Sequence, residues 1–195
     1  MSFFHARTLS FSGFAFLLSL LLLVTGCSRS TVSTRFKAPE FALADLRTSP
    51  SLLVVSPEVR VNAFKKSYRS VFPDTASLST RLTRKILDSL KLEKPLASPP
   101  KYVIYVRTVT IGDSLTQLPS GILPGVTGGM EPAGGGTSTS CLVTLDMEIL
   151  DPAGTSRYAF TVRTQADVLL YAYKTALLTA LDAAAHKAAA HLRGF

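Results

Sequence analysis

The chain has 195 residues, and its 21 basic against 13 acidic side chains give a formal net charge of +8 with histidine neutral. A basic total often indicates nucleic-acid binding, but the sequence contains no basic stripe interleaved with aromatic residues and no known nucleic-acid motif. We therefore expect no nucleic-acid partner. The charge instead suits anionic lipid headgroups, lipopolysaccharide phosphates or an acidic partner, or it forms an ordinary solvated surface.

The first 26 residues have the composition of a secretory signal peptide. Arg7 supplies the positive charge, and the apolar run from Phe11 to Val24 contains no charged residue. This run is shorter than the ~20 apolar residues that a spanning helix needs, and it has the length of a signal-peptide core. An uncleaved membrane helix remains the alternative.

The residues that close this run, Val24-Thr25-Gly26-Cys27, resemble the lipobox of bacterial lipoproteins. The resemblance implies cleavage between Gly26 and Cys27, a diacylglyceryl group on the Cys27 thiol, and usually an acyl chain on the freed amine. Two or more chains would make a stable membrane anchor. Ser28 stands where lipoproteins of the inner membrane often carry Asp. We therefore expect a periplasm-facing anchor in the outer membrane, with the inner membrane or cell surface as alternatives.

Cleavage would leave one domain-sized mature chain. Residues 27–50 begin with a Ser/Thr/Arg stretch and are predicted to form the lipidated N-terminus and a flexible tether. Residues 51–195 are predicted to form a single periplasmic domain. Cys141 is the only other cysteine, so acylation of Cys27 would exclude an internal disulfide.

The first predicted strand runs from Ser51 to Val61, and its apolar start indicates burial on both faces. Pro57 indicates a bend or an edge position. Phe64, Tyr68 and Phe72 then follow at intervals of four residues. They predict a short helical turn that packs aromatic rings on the sheet, or alternatively a patch that contacts lipid.

The next predicted helix is capped by Asp74 or Thr75 and ends near Leu92. One side carries its apolar residues, and another carries a basic group. That group consists of Arg81, Arg84 and Lys85. It is predicted to be a solvated face, or alternatively a contact for anionic lipid or a partner.

A strong strand is predicted over residues 102–111, followed by a glycine-rich loop over residues 112–139. Loops of this length without structure of their own are uncommon in compact domains and often functional. The loop contains apolar residues that we treat as a candidate contact for a partner or lipid, with plain disorder as the alternative. They include Leu118, Ile122, Leu123, Val126 and Met130.

Residues 140–150 alternate between apolar and polar side chains, and a Pro-Gly turn leads into a second strand. A four-residue loop would place Met147 opposite Tyr158 and Glu148 opposite Arg157. A helix rich in Ala and Leu is predicted over residues 168–192. Together the elements predict an α+β fold: a two-layer sandwich of a mostly antiparallel four-stranded sheet with two helices on one face, in the order β-α-β-β-β-α.

The sequence offers no catalytic motif, no metal-ligand pattern and no cofactor fingerprint. His186 and His191 are five residues apart on the last predicted helix, so they point in different directions rather than converging on a metal. We therefore predict a protein that is not an enzyme, with no metal and no cofactor.

The order of elements after the lipobox, with the turn at residues 151–154, resembles a loose group of envelope lipoproteins. These include the curli-secretion lipoprotein, the lipoprotein activators of peptidoglycan synthases and the lipopolysaccharide-assembly lipoprotein. The resemblance implies a non-enzymatic accessory or assembly factor that binds an envelope protein partner. The alternative is a lipoprotein that binds lipid or lipopolysaccharide, and an envelope hydrolase is less favoured.

Overall fold

The computed structural model describes residues 28–90, 99–117, 137–168 and 172–194. These residues form an α+β fold with one five-stranded sheet and four helices. In chain order, the elements are β1 (Ser28–Lys37), α1 (Asp45–Thr48), β2 (Ser51–Val61), α2 (Lys65–Val71), α3 (Thr75–Leu90), β3 (Tyr102–Gln117), β4 (Thr137–Leu150), β5 (Ser156–Asp167) and α4 (Tyr173–Leu192).

The sheet has the strand order β1-β5-β4-β3-β2. Only β2 and β3 pair in parallel, and the three other pairings are antiparallel. The α+β class is therefore confirmed, but the predicted sheet of four strands with two helices is corrected to a mixed sheet of five strands with four helices. The parallel pair arises because the connection from β2 to β3 carries α2 and α3.

The added strand is β1, which lies in the segment predicted to be a flexible tether, residues 27–50. It pairs antiparallel with β5, from Ser28 opposite Ala166 to Lys37 opposite Tyr158. Because β1 is an edge strand whose side chains are mostly exposed, it lacks the apolar alternation by which strands are recognised. The tether prediction is therefore wrong for this part of the chain.

The other edge strand, β2, is less buried than the sequence predicted. Leu52 is 40% exposed and its neighbours are only half-buried, so this strand is not covered on both faces. The register with β3 shifts between Val55 and Glu58, around Pro57. Proline cannot donate to a sheet ladder, and it is tolerated at an edge or a bulge.

The hairpin between β4 and β5 keeps the predicted faces but shifts their register by two residues. Ile149 rather than Met147 lies opposite Tyr158. The turn is one residue longer than predicted, because Leu150 pairs with Ser156, and a bulge at Arg157 adds the second residue of the shift. Asp151 Oδ1 accepts the backbone N–H groups of Ala153 and Thr155 within this turn, at 3.0 and 2.9 Å. Because the shift is an even number, every apolar side chain stays on the core side.

The same turn redirects the predicted Glu148–Arg157 pair. Arg157 instead lies 2.7 Å from Asp151, and Glu148 lies 3.1 Å from Arg107. The pKa of the Asp151 carboxyl is lowered, chiefly by the Thr155 backbone N–H that it accepts and also by Arg157. The carboxylate thus holds the turn closed from two sides.

The core lies between the sheet and the helices α3 and α4, which contact each other and pack on the sheet. Asp74 Oδ1 accepts the Ser77 N–H at 2.7 Å and so caps α3. Small side chains on α4 allow this helix to approach the sheet closely. The Thr164 hydroxyl of β5 therefore reaches the Ala180 carbonyl and donates to it at 2.7 Å. Gly194, at φ +78°, ends the last helix. The apolar stripes of both helices are buried, and they include Leu78, Leu82, Ile86, Leu177, Leu181, Ala184, Ala188 and Leu192.

Candidate functional site

The sheet has two ends that carry different features. At the end that we call the Ser28 end, β1 begins at Ser28, β5 ends at Asp167, and Gln117 of β3 pairs with Thr137 of β4. At the opposite Lys37 end, β1 ends and β5 begins. The chain therefore enters the fold at the same end from which the connection between β3 and β4 departs.

Most of the predicted contact residues lie outside the described residues. This applies to the cleavage and lipidation positions, Gly26 and Cys27. It also applies to the apolar residues of the glycine-rich loop, Leu118, Ile122, Leu123, Val126 and Met130. The flanks of that loop are described, and they show that β3 and β4 extend to Gln117 and Thr137. The connection is thus shorter than the predicted loop of residues 112–139.

The three cations of the predicted basic group on α3 differ in the contacts that they make. Arg81 donates to both carboxylate oxygens of Asp182 on α4, at 3.0 and 2.8 Å. The Lys85 ammonium lies 3.0 Å from the same carboxylate. Only Arg84 is exposed without a described ion pair. Two of the three cations therefore join the helices, which weakens the hypothesis that this group binds a lipid headgroup.

A groove of about 360 Å³ lies at the Ser28 end, between the start of α2 and the start of α4. Phe64 and Tyr173 line it, with ring centroids 5.7 Å apart. Tyr173 is 39% exposed. Lys65 and Lys66 lie at the same rim and are exposed, and Asp113 is the acidic residue that lines the groove.

Phe64 holds an unusual backbone conformation beside this groove. Its φ of +59° and ψ of +24° lie in the left-handed region, which costs a non-glycine residue about 1–2 kcal/mol. Asn62 and Ala63, which follow β2, both donate to the Ile111 carbonyl of β3. The left-handed conformation of Phe64 then allows the chain to turn sharply into α2. The fold thus holds the Phe64 ring next to Tyr173 despite local strain.

A polar cluster at the Lys37 end was not predicted. The Tyr158 hydroxyl lies 2.9 Å from Thr34 Oγ1 and 2.8 Å from His191 Nε2, and the rings of Tyr158 and His191 stack. The pKa of His191 is lowered, first by burial and second by the nearby charge of Lys187. An open cavity of about 570 Å³ adjoins Thr34 and Tyr158, and Arg47 also lines it. The cluster joins β1, β5 and α4.

Cys141 faces the core of the sheet, as its alternation predicts. It is fully buried, and burial raises the pKa of its thiol to about 12. Because the thiolate is the reactive form of cysteine, this side chain is inert in the folded protein.

The described residues contain no group of three or more His, Cys, Asp or Glu side chains that could hold a metal ion. Within the same residues, no helix is both long enough and apolar enough to cross a bilayer.

Sequence reasoning missed the groove and the polar cluster for different reasons. Lys65 and Lys66 were visible as a basic pair, but their position beside Tyr173 depends on a contact across more than a hundred residues. Tyr158 and His191 were predicted to lie on a strand and on the last helix, and nothing local indicates that they meet. No signal in one sequence would have identified either pairing.

No protein-family model matches the chain, and no curated protein matches it. Two solved structures of PelC from Paraburkholderia phytofirmans, described as dodecamers, are 11% and 12% identical to it. They cover 84% and 86% of this chain and 97% and 99% of their own, with TM-scores of 0.40 and 0.39. A PDZ domain protein from Parabacteroides distasonis is 12% identical over 86% of this chain and 38% of its own, with a TM-score of 0.27. At these TM-scores the alignments carry no argument about fold, assembly or function.

Proposed function

We propose that this protein is a membrane-anchored lipoprotein of the bacterial envelope that acts without catalysis, as an accessory or assembly factor for an envelope protein partner. Acyl chains on Cys27, after cleavage at Gly26, form the anchor. The outer membrane, with the domain facing the periplasm, is the proposed location. The observation that carries the proposal is the apolar run from Phe11 to Val24, closed by Val24-Thr25-Gly26-Cys27. The position of Ser28 at the start of β1 adds how an anchor would orient the domain.

The direct entry of the chain into β1 determines how an anchor would orient the domain. One residue spans at most about 3.3–3.6 Å, so acyl chains on Cys27 would hold the Ser28 end against the bilayer. The Lys37 end would then point away from the membrane. The connection between β3 and β4 begins and ends at the membrane side, where it is suited to a partner that lies in or on the same membrane.

The proposed partner contact is therefore the apolar part of that connection, with Leu118, Ile122, Leu123, Val126 and Met130. A photoreactive residue at Val126 in the native host should give one crosslinked protein that mass spectrometry can identify. The matched control is the same residue at Leu52, an exposed position on the edge strand β2. Identical adducts from both positions, or none from Val126, would contradict the proposed contact.

A further inference from the structure

The Ser28 end carries exposed cations close to the point where the anchor would attach. Lys65 and Lys66 are exposed at the rim of the groove, and neither makes an ion pair within the described residues. Arg29, the second residue of β1, and Lys174, in the first turn of α4, are exposed at the same end. The cations thus lie at the same end of the sheet as Ser28, with Lys65 and Lys66 beside the opposite edge strand, β2.

Three acidic side chains at this end offset part of that charge. Asp113 is exposed at the groove, and Asp167 accepts a hydrogen bond from the buried Ser140 hydroxyl at 2.7 Å. Asp74 caps α3 through the Ser77 N–H. The four cations exceed these three carboxylates by one, and a cationic surface close to a membrane is attracted to anionic headgroups.

The groove between the lysines and α4 adds an aromatic component. Phe64 and Tyr173 present neighbouring rings, and Tyr173 is one of the few large apolar side chains that are strongly exposed among the described residues. Tyrosine is enriched at membrane interfaces, because its ring contacts apolar groups while its hydroxyl stays hydrated. Cations beside an exposed tyrosine therefore match the interface between headgroups and acyl chains.

We propose that Lys65, Lys66 and the Phe64–Tyr173 groove dock the domain onto anionic phospholipid headgroups of the leaflet that holds its anchor. This inference rests on the acyl anchor of the proposed function, which brings the groove to the bilayer. It replaces the basic group on α3 as the lipid contact, because Arg81 and Lys85 are paired with Asp182. Docking would fix the tilt and rotation of the domain on the bilayer, whereas the acyl chains alone hold the Ser28 end at the membrane.

The absence of tryptophan from the chain permits a direct test. Tyr173→Trp places a single tryptophan in the groove, and Phe36→Trp places one at a 48% exposed site near the Lys37 end. Each full-length acylated variant is reconstituted into phosphatidylcholine vesicles with or without phosphatidylglycerol, and quenching by brominated lipids is measured. We expect strong quenching at position 173 only, and more of it with phosphatidylglycerol.

Charge reversal then tests the lysines in the Tyr173→Trp background. Lys65→Glu with Lys66→Glu should lower the ratio of docked to undocked protein by more than about fivefold for each lysine, which is the factor expected for loss of one positive charge. The control is Arg84→Glu with Arg163→Glu, which makes the same charge change at exposed sites on α3 and β5 and should leave quenching unchanged. Equal quenching at positions 173 and 36, or no response to the lysine reversal, would overturn the docking proposal.

Failure of the anchor and failure of docking give different results. The mass of each purified variant shows whether Cys27 carries acyl chains, independently of quenching. Acylated protein without quenching at position 173 would retain the proposed anchor and reject docking. If the purified protein carries no acyl chains, the proposed anchor is rejected. Quenching measured after this protein is added to the same vesicles would still show whether the lysines bind anionic headgroups.

Discussion

The Tyr158 hydroxyl and His191 Nε2 lie 2.8 Å apart, and their rings stack with centroids separated by 5.8 Å. This contact joins the first half of β5 to the last turn of α4. The same hydroxyl lies 2.9 Å from Thr34 Oγ1, so it also holds the edge strand β1. The strand that follows the proposed anchor is therefore tied to the core by a side chain as well as by the sheet.

Removal of this hydroxyl should destabilise the fold. Tyr158→Phe keeps the ring but leaves Thr34 Oγ1 and His191 Nε2 without their shared partner, at a cost of about 1–2 kcal/mol. The midpoint of urea unfolding measures the change. Tyr105→Phe is the control, because the Tyr105 hydroxyl makes one exposed 3.3 Å hydrogen bond to Ser56. Equal unfolding midpoints for the two variants would show that the hydrogen bonds of the Tyr158 hydroxyl do not contribute to stability.

Stability should fall as the pH drops through the range in which His191 titrates. The pKa of His191 is below its usual value near 6.5 in the folded chain, so the unfolded chain binds a proton first. Between the unfolded and folded pKa values the unfolded state holds more protons, and the free energy of unfolding therefore decreases with decreasing pH.

His191→Gln should make this decrease shallower as the pH falls below about 6.5, as measured by urea unfolding at a series of pH values. His186→Gln is the matched control, since His186 is exposed on the same helix. If the free energy of unfolding depends on pH in the same way in His191→Gln as in the wild type, titration of His191 is not the cause of the decrease.

Asp182→Asn should weaken the packing of α3 on α4. The substitution leaves Arg81 and Lys85 without a carboxylate. Because Arg81 and Asp182 are each 32% exposed, we expect a loss of about 1 kcal/mol. The loss should shrink at high salt, where screening weakens the wild-type pair. Asp88→Asn, at an exposed position on α3, should cost less, and an equal cost in both variants would reject the role of the pair.

Cys141 should resist alkylation in the folded protein. Its thiol is fully buried and has a pKa of about 12, so labelling by a maleimide at neutral pH requires unfolding. The measurement compares the labelling rate with and without denaturant. Rapid labelling of Cys141 under native conditions would show that this part of β4 opens.

The elements recognised from sequence were those with strong one-sided burial. The apolar alternation of β4 and the four-residue steps of α3 reflect a single buried face, and this pattern is visible in one sequence. The edge strand β1 has almost no buried face, so its Ser and Thr residues resembled a tether. The hairpin shows a finer limit, because its register depends on hydrogen bonds that Asp151 makes within the turn.

The candidate sites were less predictable than the fold. Arg81 and Lys85 were visible as a charge group, but their partner Asp182 lies about a hundred residues away on α4. The same distance in sequence separates Lys65 from Tyr173. Composition and spacing identify charges, whereas tertiary packing decides which of them are paired and which remain exposed.

The most direct test of the account is the mass of the N-terminal peptide of the protein purified from its native host. The account predicts a peptide that begins at Cys27 and carries diacylglyceryl and acyl chains, followed directly by the residues of β1. A peptide that retains residues 1–26 and a free Cys27 thiol would contradict the anchor, the orientation of the Ser28 end and the proposed location together.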